Sequence, residues 1–202
     1  SDSKCKNSRK FNRELNLLKQ INNQYSQKKI IYFSTCSILD KTRNFQKYQI
    51  HKLKMEEFIK KNFPKYLIFR LPELIGSNQN SKKTLLNFFY NKIINNQSIT
   101  TSNNVYRNII DINDVVKVIK CILDNTINKK IINVANPNMY TGTDIVITFQ
   151  KVFNKKISYK LNNKIDNENF NININYVKKF YRKLNIKFNE DYLYKRIKKK
   201  LI

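Results

Sequence analysis

Short apolar, β-rich runs alternate with longer segments of helical spacing, and this alternation constrains the fold more than any other feature of the sequence. Ile30 to Phe33 is one such run and Tyr66 to Phe69 the next. Between them a helical segment passes through Met55, Phe58 and Ile59 to about Asn62, where Pro64 stops it. Residues 8–25 precede them as a helix with an apolar stripe of Leu15, Leu17, Leu18 and Ile21. Downstream, Leu85 to Ile94 reads as a helix and Val105 to Ile110 as a strand. A further helix runs through Val116, Ile119 and Leu123, with Asn113 or Asp114 as its candidate cap. Lys130 to Val134 is strand-like. Thr141 or Thr143 is the candidate cap of a helix that ends near Phe153, and Ile157 to Leu161 is a last short strand. Arg70 to Gly76 and the Asn-rich segment 162–175 read as loops, followed by one or two short helices from Tyr176 onward. Strands alternating with helices predict an α/β fold: a parallel sheet with helices on its faces and right-handed crossovers.

Two stretches carry chemistry. The run Ile30–Phe33 ends in a hydroxyl cluster, Ser34, Thr35 and Ser37. Tyr48 and Lys52 follow, four residues apart in a helical segment and therefore on one face. A free tyrosine titrates near 10, whereas acid–base work at neutral pH wants about 7, a gap worth about 4 kcal/mol. An ammonium about 4 Å away at an effective dielectric of 20 supplies about that much. Lys52 is thus sufficient to activate Tyr48 where water is excluded, with the Thr35 hydroxyl available to a substrate oxygen. This arrangement requires Tyr48, Lys52 and Thr35 to meet at one cleft. The same spacing also occurs on ordinary amphipathic helices, where Tyr48 would be a packing residue.

Composition limits the alternatives. With 41% hydrophobic residues the chain supports a core. The net charge of +26 attracts polyanions, but Lys and Arg are scattered along the chain together with Asn and Ile. No nucleic-acid module motif is visible, so nucleic-acid binding is expected to be unspecific and salt-sensitive. Cys5, Cys36 and Cys121 are far apart and odd in number, and His51 is the only histidine; neither a disulfide framework nor a metal site is indicated, which suits a reducing, cytoplasmic setting. No apolar run has the length of a membrane span. The only glycines are Gly76 and Gly142, so the sequence contains no Gly-rich phosphate loop. Lys198 to Lys200 reads as a solvated basic terminus.

Taken in order, these stretches resemble the extended short-chain dehydrogenase/reductase family, the NAD-dependent epimerases and dehydratases of sugar nucleotides. Ser34-Thr35-Cys36-Ser37 is similar to the family's active-site strand end, Tyr48-Gln-Ile-His-Lys52 to its Tyr-x-x-x-Lys, with Glu56 following. Arg70 to Gly76 is similar to its Arg-led loop, Arg107 to Asp114 to its Arg…Asp segment, and residues 131–136 to its late strand. The resemblance runs from about residue 10 to residue 160. It implies a partial Rossmann-like sheet with a small C-terminal substrate lobe: residues 1–160 as an incomplete NAD(P)-binding domain with interspersed lobe segments, and 161–202 as a helical extension. It implies Tyr48 as acid/base, Lys52 as its activator and ribose contact, and Thr35 as the substrate's hydroxyl partner. Ser34 and Leu71 would join Tyr48 and Lys52 in holding NAD or NADP. Glu73 and Arg107 would contact a nucleotide-sugar substrate, Arg107 at the diphosphate. A homodimer, and a role in surface polysaccharide synthesis, are further implications.

Departures from the pattern narrow the expectation. The link from Thr35 to Tyr48 is short, which alters the rim of the pocket. Cys36 and Ser37 stand where dehydratases carry Asp and Glu, which favours epimerase or ketoreductase chemistry. Glu73 stands where many members have Asn. The family's first βαβ unit, with its Gly-rich turn, has no counterpart here and is expected upstream of Ser1. The chain as given is then expected to bind a nicotinamide cofactor weakly, and the strand at 29–33 to present an unpaired edge with exposed apolar surface. A non-catalytic relative that binds a nucleotide sugar or a protein partner is the second reading, and a basic nucleic-acid binder a distant third.

Overall fold

The computed structural model describes residues 8–40, 46–76, 84–125, 127–162 and 170–201. Helix α1 (Ser8–Tyr25) leads into strand β1 (Ile30–Thr35), which closes in a short 3₁₀ turn at Cys36–Leu39. Helix α2 (Lys47–Asn62) follows, then β2 (Tyr66–Leu71), β3 (Glu73–Ile75), α3 (Leu85–Ile94), β4 (Ile99–Thr101), β5 (Tyr106–Arg107) and β6 (Ile109–Asp111). The chain continues through α4 (Ile112–Leu123), β7 (Lys130–Asn133), β8 (Tyr140–Thr141), α5 (Gly142–Phe153), β9 (Tyr159–Leu161), α6 (Asn175–Lys183) and α7 (Tyr192–Leu201). The link and part of the Asn-rich loop read from the sequence fall on 41–45 and 163–169, outside the described residues.

The main sheet is parallel, in the order β1-β2-β7, with Ile30 opposite Tyr66 and Leu67 opposite Lys130. Leu67, Ile68 and Phe69 of the central strand are all fully buried, because both faces of the sheet are covered. On one face Tyr32 and Ile68 pack with Leu18 of α1 and Met55 and Ile59 of α2. On the other, Leu67, Phe69 and Ile132 pack with Val115, Val118 and Ile122 of α4 and Val177 and Phe180 of α6. A separate core joins α3, α5 and α7 around Phe89, Ile109, Val146, Phe149 and Ile197, with the parallel pairs β3–β6 and β4–β9 and the antiparallel pair β5–β8 at its side.

Four sequence expectations change. Arg70–Gly76 is not all loop: Pro72, which has no N–H to give to a ladder, ends β2, and β3 then pairs with β6 in another sheet. The strand expected over Val105–Ile110 is two short strands with different partners. Helix α4 is capped by Asp111, whose carboxylate accepts from Asn113 N at 2.8 Å, and not by Asn113 or Asp114. Leu17 is 54% exposed and lies off the buried face of α1. Thr141 does cap α5, within a reciprocal pair with Asp144. Among the described residues β1 has β2 as its only strand neighbour, and Ile31 and Phe33 on it are 40% and 52% exposed.

Candidate active site and substrate pocket

The stretch that the sequence marks as a candidate for acid–base chemistry lies where β1 ends beside α2. Thr35 caps the 3₁₀ turn: its Oγ1 accepts from Ser37 N at 3.2 Å and lies 3.0 Å from Ser37 Oγ. Gln49 of α2 donates to Ser37 O at 2.8 Å, which ties the first turn of α2 to the end of β1. Arg70, at the end of β2, donates twice to Glu56, Nε to Oε1 at 2.9 Å and a terminal nitrogen to Oε2 at 2.6 Å. This buried two-pronged pair fixes the height of α2 against the sheet. Cys36 Sγ donates to Arg70 O at 3.3 Å; burial pushes its thiol up to about 12, so it stays protonated and inert at neutral pH.

Tyr48 and Lys52 lie one turn apart on α2, Tyr48 half-buried and Lys52 buried. Lys52 Nζ donates to Tyr32 Oη at 2.8 Å, to Glu14 Oε1 at 2.9 Å and to Phe33 O at 3.3 Å. Glu14 also accepts from Tyr32 Oη at 2.8 Å, and His51 Nε2 lies 2.7 Å from its other oxygen. Since a carboxylate only accepts, that imidazole nitrogen carries a proton. Phe11 stacks on His51 with ring centroids 4.3 Å apart. Burial by itself raises the Glu14 carboxyl. The hydrogen bonds from Lys52 and His51, the Lys52 charge and the Tyr32 hydroxyl outweigh burial and bring Glu14 down to about 2. Tyr32 is pushed up, by burial first and then by Glu14, with Tyr48 and Glu56 adding to it, so it remains a neutral phenol.

The sequence reading gave no site role to Glu14, Tyr32 or His51. A signal was present: Glu14 shares the face of Leu18 and Ile21, at i, i+4 and i+7, so a carboxylate sits in an otherwise apolar stripe.

A second group of residues lies in the core formed by α3, α5 and α7. A cavity of about 190 Å³ is lined by Phe88, Thr101, Ser102, Arg107, Gly142 and their neighbours. Phe88 is 45% exposed. Gly142 is required here, since a Cβ on it would stand 1.9 Å from Thr101 Oγ1. Glu73 lies beside this region, where its carboxylate accepts from Leu85 N at 2.8 Å at the start of α3. Burial pushes its carboxyl up, and the amides of Leu85 and Leu86 and the Arg107 charge hold it back. Asp114, an alternative cap in the sequence, is instead held by Tyr192 Oη at 2.9 Å and Arg196 at 2.8 Å, which fasten α7 to α4.

For a nicotinamide cofactor the donor set is half present. Ser34 Oγ is buried without a hydrogen-bond partner among the described residues, and Lys52 donates to the carbonyl of the preceding residue, Phe33. The three N–H groups of Lys52 are directed to protein acceptors, and the sequence has no Gly-rich turn for a pyrophosphate.

The sequence matches the NAD dependent epimerase/dehydratase family over residues 8–135. The match takes in the Ser34–Ser37 strand end, the Tyr48/Lys52 helix and the Arg107–Asp114 segment, and the chain belongs to that family. No curated protein matches it. Among solved structures it is similar to UDP-N-acetylglucosamine 4-epimerase from Methanobrevibacter ruminantium M1, in complex with UDP-N-acetylmuramic acid. That likeness has a TM-score of 0.68 at 17% identity, over 94% of this chain and 66% of that one. UDP-glucuronic acid 4-epimerase from Bacillus cereus, in complex with UDP-glucuronic acid and NAD, gives 0.67 at 19% identity, over 91% and 65%. RMD from Pseudomonas aeruginosa, complexed with NADPH, gives 0.67 at 12% identity, over 91% and 68%. At these identities the likeness is one of fold. The chain spans less than two thirds of the length of the first two. Among the described residues no helix is long and apolar enough to cross a membrane.

Proposed function

We propose that this chain carries the substrate-binding and acid–base parts of an NAD(P)-dependent sugar-nucleotide epimerase or reductase. The observation that carries the reading is the cavity beside α3, which sets an accessible aromatic ring, several hydroxyls and a guanidinium within one small space. A nucleobase stacks on an aromatic face, and a guanidinium matches a diphosphate in shape and charge. Phe88 takes the base and Arg107 the diphosphate, while Glu73 keeps α3 in place beside them. The sugar then extends toward the end of β1. There Thr35 holds a substrate oxygen, Tyr48 gives and takes its proton, and Lys52 stabilises the phenolate. Ser34, Leu71, Tyr48 and Lys52 face the ribose end of NAD or NADP, and hydride exchange is the chemistry that group supplies when bound. Cys36 and Ser37 offer no carboxylate for water elimination, which favours epimerisation or reduction over dehydration.

Calorimetric titration with UDP, UDP-glucose and UDP-N-acetylglucosamine tests the assignment. Binding is expected, with a loss of at least tenfold on Arg107→Ala or Phe88→Ala and little change on Tyr48→Phe. Absence of binding to all three nucleotides, or equal binding by Arg107→Ala, would overturn it.

A further inference from the structure

The Lys52 ammonium has three N–H groups, and the fold supplies three acceptors for them: a carboxylate, a phenol and a main-chain carbonyl. One acceptor is charged and comes from another element, since Glu14 reaches in from α1 across 38 residues of sequence. Glu14 is itself held on its second oxygen by His51, which is stacked under Phe11 of the same helix. The network is therefore closed. Each charged or polar tip in it is satisfied by another member, and α1, β1 and α2 are joined through it.

We propose that Glu14 is a latch on Lys52. While it is closed, the ammonium has no N–H to give to a ligand hydroxyl, and the nearby carboxylate offsets the positive charge that Tyr48 would otherwise feel. A ligand that uses Lys52, such as the vicinal diol of a ribose, must displace Glu14 before it binds. The latch rests on the reading of Tyr48 and Lys52 as the reactive pair. It makes Glu14 a positioning residue that acts through Lys52 and touches no substrate itself. Displacement is feasible because Tyr32 and the Phe33 carbonyl stay with Lys52 when Glu14 leaves, while Glu14 lies partly exposed and can turn toward water.

The test uses the whole chain with ¹⁵N-labelled lysine, and NADH as the probe ligand. In the parent protein one lysine NH₃⁺ resonance is expected to be protected from solvent exchange, and Lys52→Arg assigns it by removing it. Glu14→Gln and Glu14→Ala are expected to speed its exchange at least tenfold while the far-ultraviolet circular dichroism stays unchanged. NADH, followed by its own fluorescence, is expected to bind Glu14→Gln at least tenfold more tightly than the parent. A Lys52 resonance already in fast exchange in the parent overturns the latch whatever NADH does. Equal or weaker NADH binding by Glu14→Gln, with binding measurable in the parent, overturns it too. A protected resonance released by Glu14→Gln, with no NADH binding by any variant, upholds the latch and overturns the cofactor reading on which its ligand rests.

Discussion

Lys52 donates to Glu14 at 2.9 Å across 38 residues of sequence, so the lysine of the Tyr48/Lys52 pair is bound to the helix that precedes the sheet. The same ion pair joins α1 to α2 and, in the latch proposed above, occupies one N–H of Lys52.

The first consequence is a pH dependence. The Glu14 carboxyl is held at about 2 in the fold against a usual 4.5. A depressed acid contributes stability that is present above its unfolded value and lost as pH falls through the folded one. The groups facing it are Lys52 and His51 of α2 and Tyr32 of β1. Unfolding free energy should therefore fall between about pH 4.5 and 2. The share due to Glu14 is on the order of 2 kcal/mol once its partial exposure is allowed for. Urea titrations of the parent and of Glu14→Gln across that range should differ in slope, and parallel curves would refute the assignment.

Removing the lysine should cost more than removing the acid. Lys52→Met takes the main counter-charge from Glu14 and the donor from the Phe33 carbonyl, whereas Glu14→Gln keeps an acceptor oxygen. Because Glu14 is partly exposed and can turn to water, the cost should be about 1–3 kcal/mol, below that of breaking a fully buried pair. Tyr48→Phe, at a half-buried position, removes a single hydroxyl and should cost less, about 1 kcal/mol. Denaturant midpoints check this order. The double variant Glu14→Gln/Lys52→Met should lose less than the sum of the single ones.

Glu73 gives the opposite sign. Burial raises its carboxyl, so the folded state binds the proton more tightly than the unfolded chain does. Stability from this group is greatest below the unfolded value and declines as pH rises through the folded one. Glu73→Gln keeps an oxygen for Leu85 N and removes the buried charge. It should match or exceed the parent in stability at pH 7–8 and lose that advantage toward pH 4.5. Glu73→Ala leaves the α3 amides unpaired and should cost about 1 kcal/mol at either pH. Thermal melts at the two pH values decide.

The helices and the main sheet could be read from the sequence because each buries several consecutive or periodic apolar side chains. Leu67, Ile68 and Phe69 announce a strand covered on both faces, and Leu18 marks the buried face of α1. The family could be read because its motifs sit at strand and helix ends, where backbone geometry fixes the spacing. The three-residue strands β3 and β4 were not legible: Pro72 directly before the first reads as a loop, and the second has only Ile99 as a fully buried apolar residue. Glu14 was missed for another reason. A carboxylate in an apolar stripe has meaning only once Lys52, 38 residues on, is known to face it.

The last prediction concerns the close approach of α5 to β4. A Cβ on Gly142 would meet Thr101 Oγ1 at 1.9 Å and the Ser102 carbonyl oxygen and amide nitrogen at 3.2 and 3.3 Å. Thr101 cannot readily turn away, because it is β-branched, buried and held in β4 against β9. Nor can the main chain, since Gly142 N donates to Ser102 O at 3.2 Å. Gly142→Ala must therefore push the start of α5 off β4, at a cost of about 1–3 kcal/mol. Gly142, Thr101 and Ser102 all line the cavity assigned to the nucleotide, so the same displacement should weaken UDP binding at least tenfold. Gly76→Ala is the control: its added Cβ would stand 3.5 Å from Ile112 Cγ2, an ordinary contact, and should leave both quantities nearly unchanged. Melting curves and calorimetry on the two variants make the comparison. Equal behaviour of the two would show that contact at Gly142 neither shapes the cavity nor limits the packing of α5.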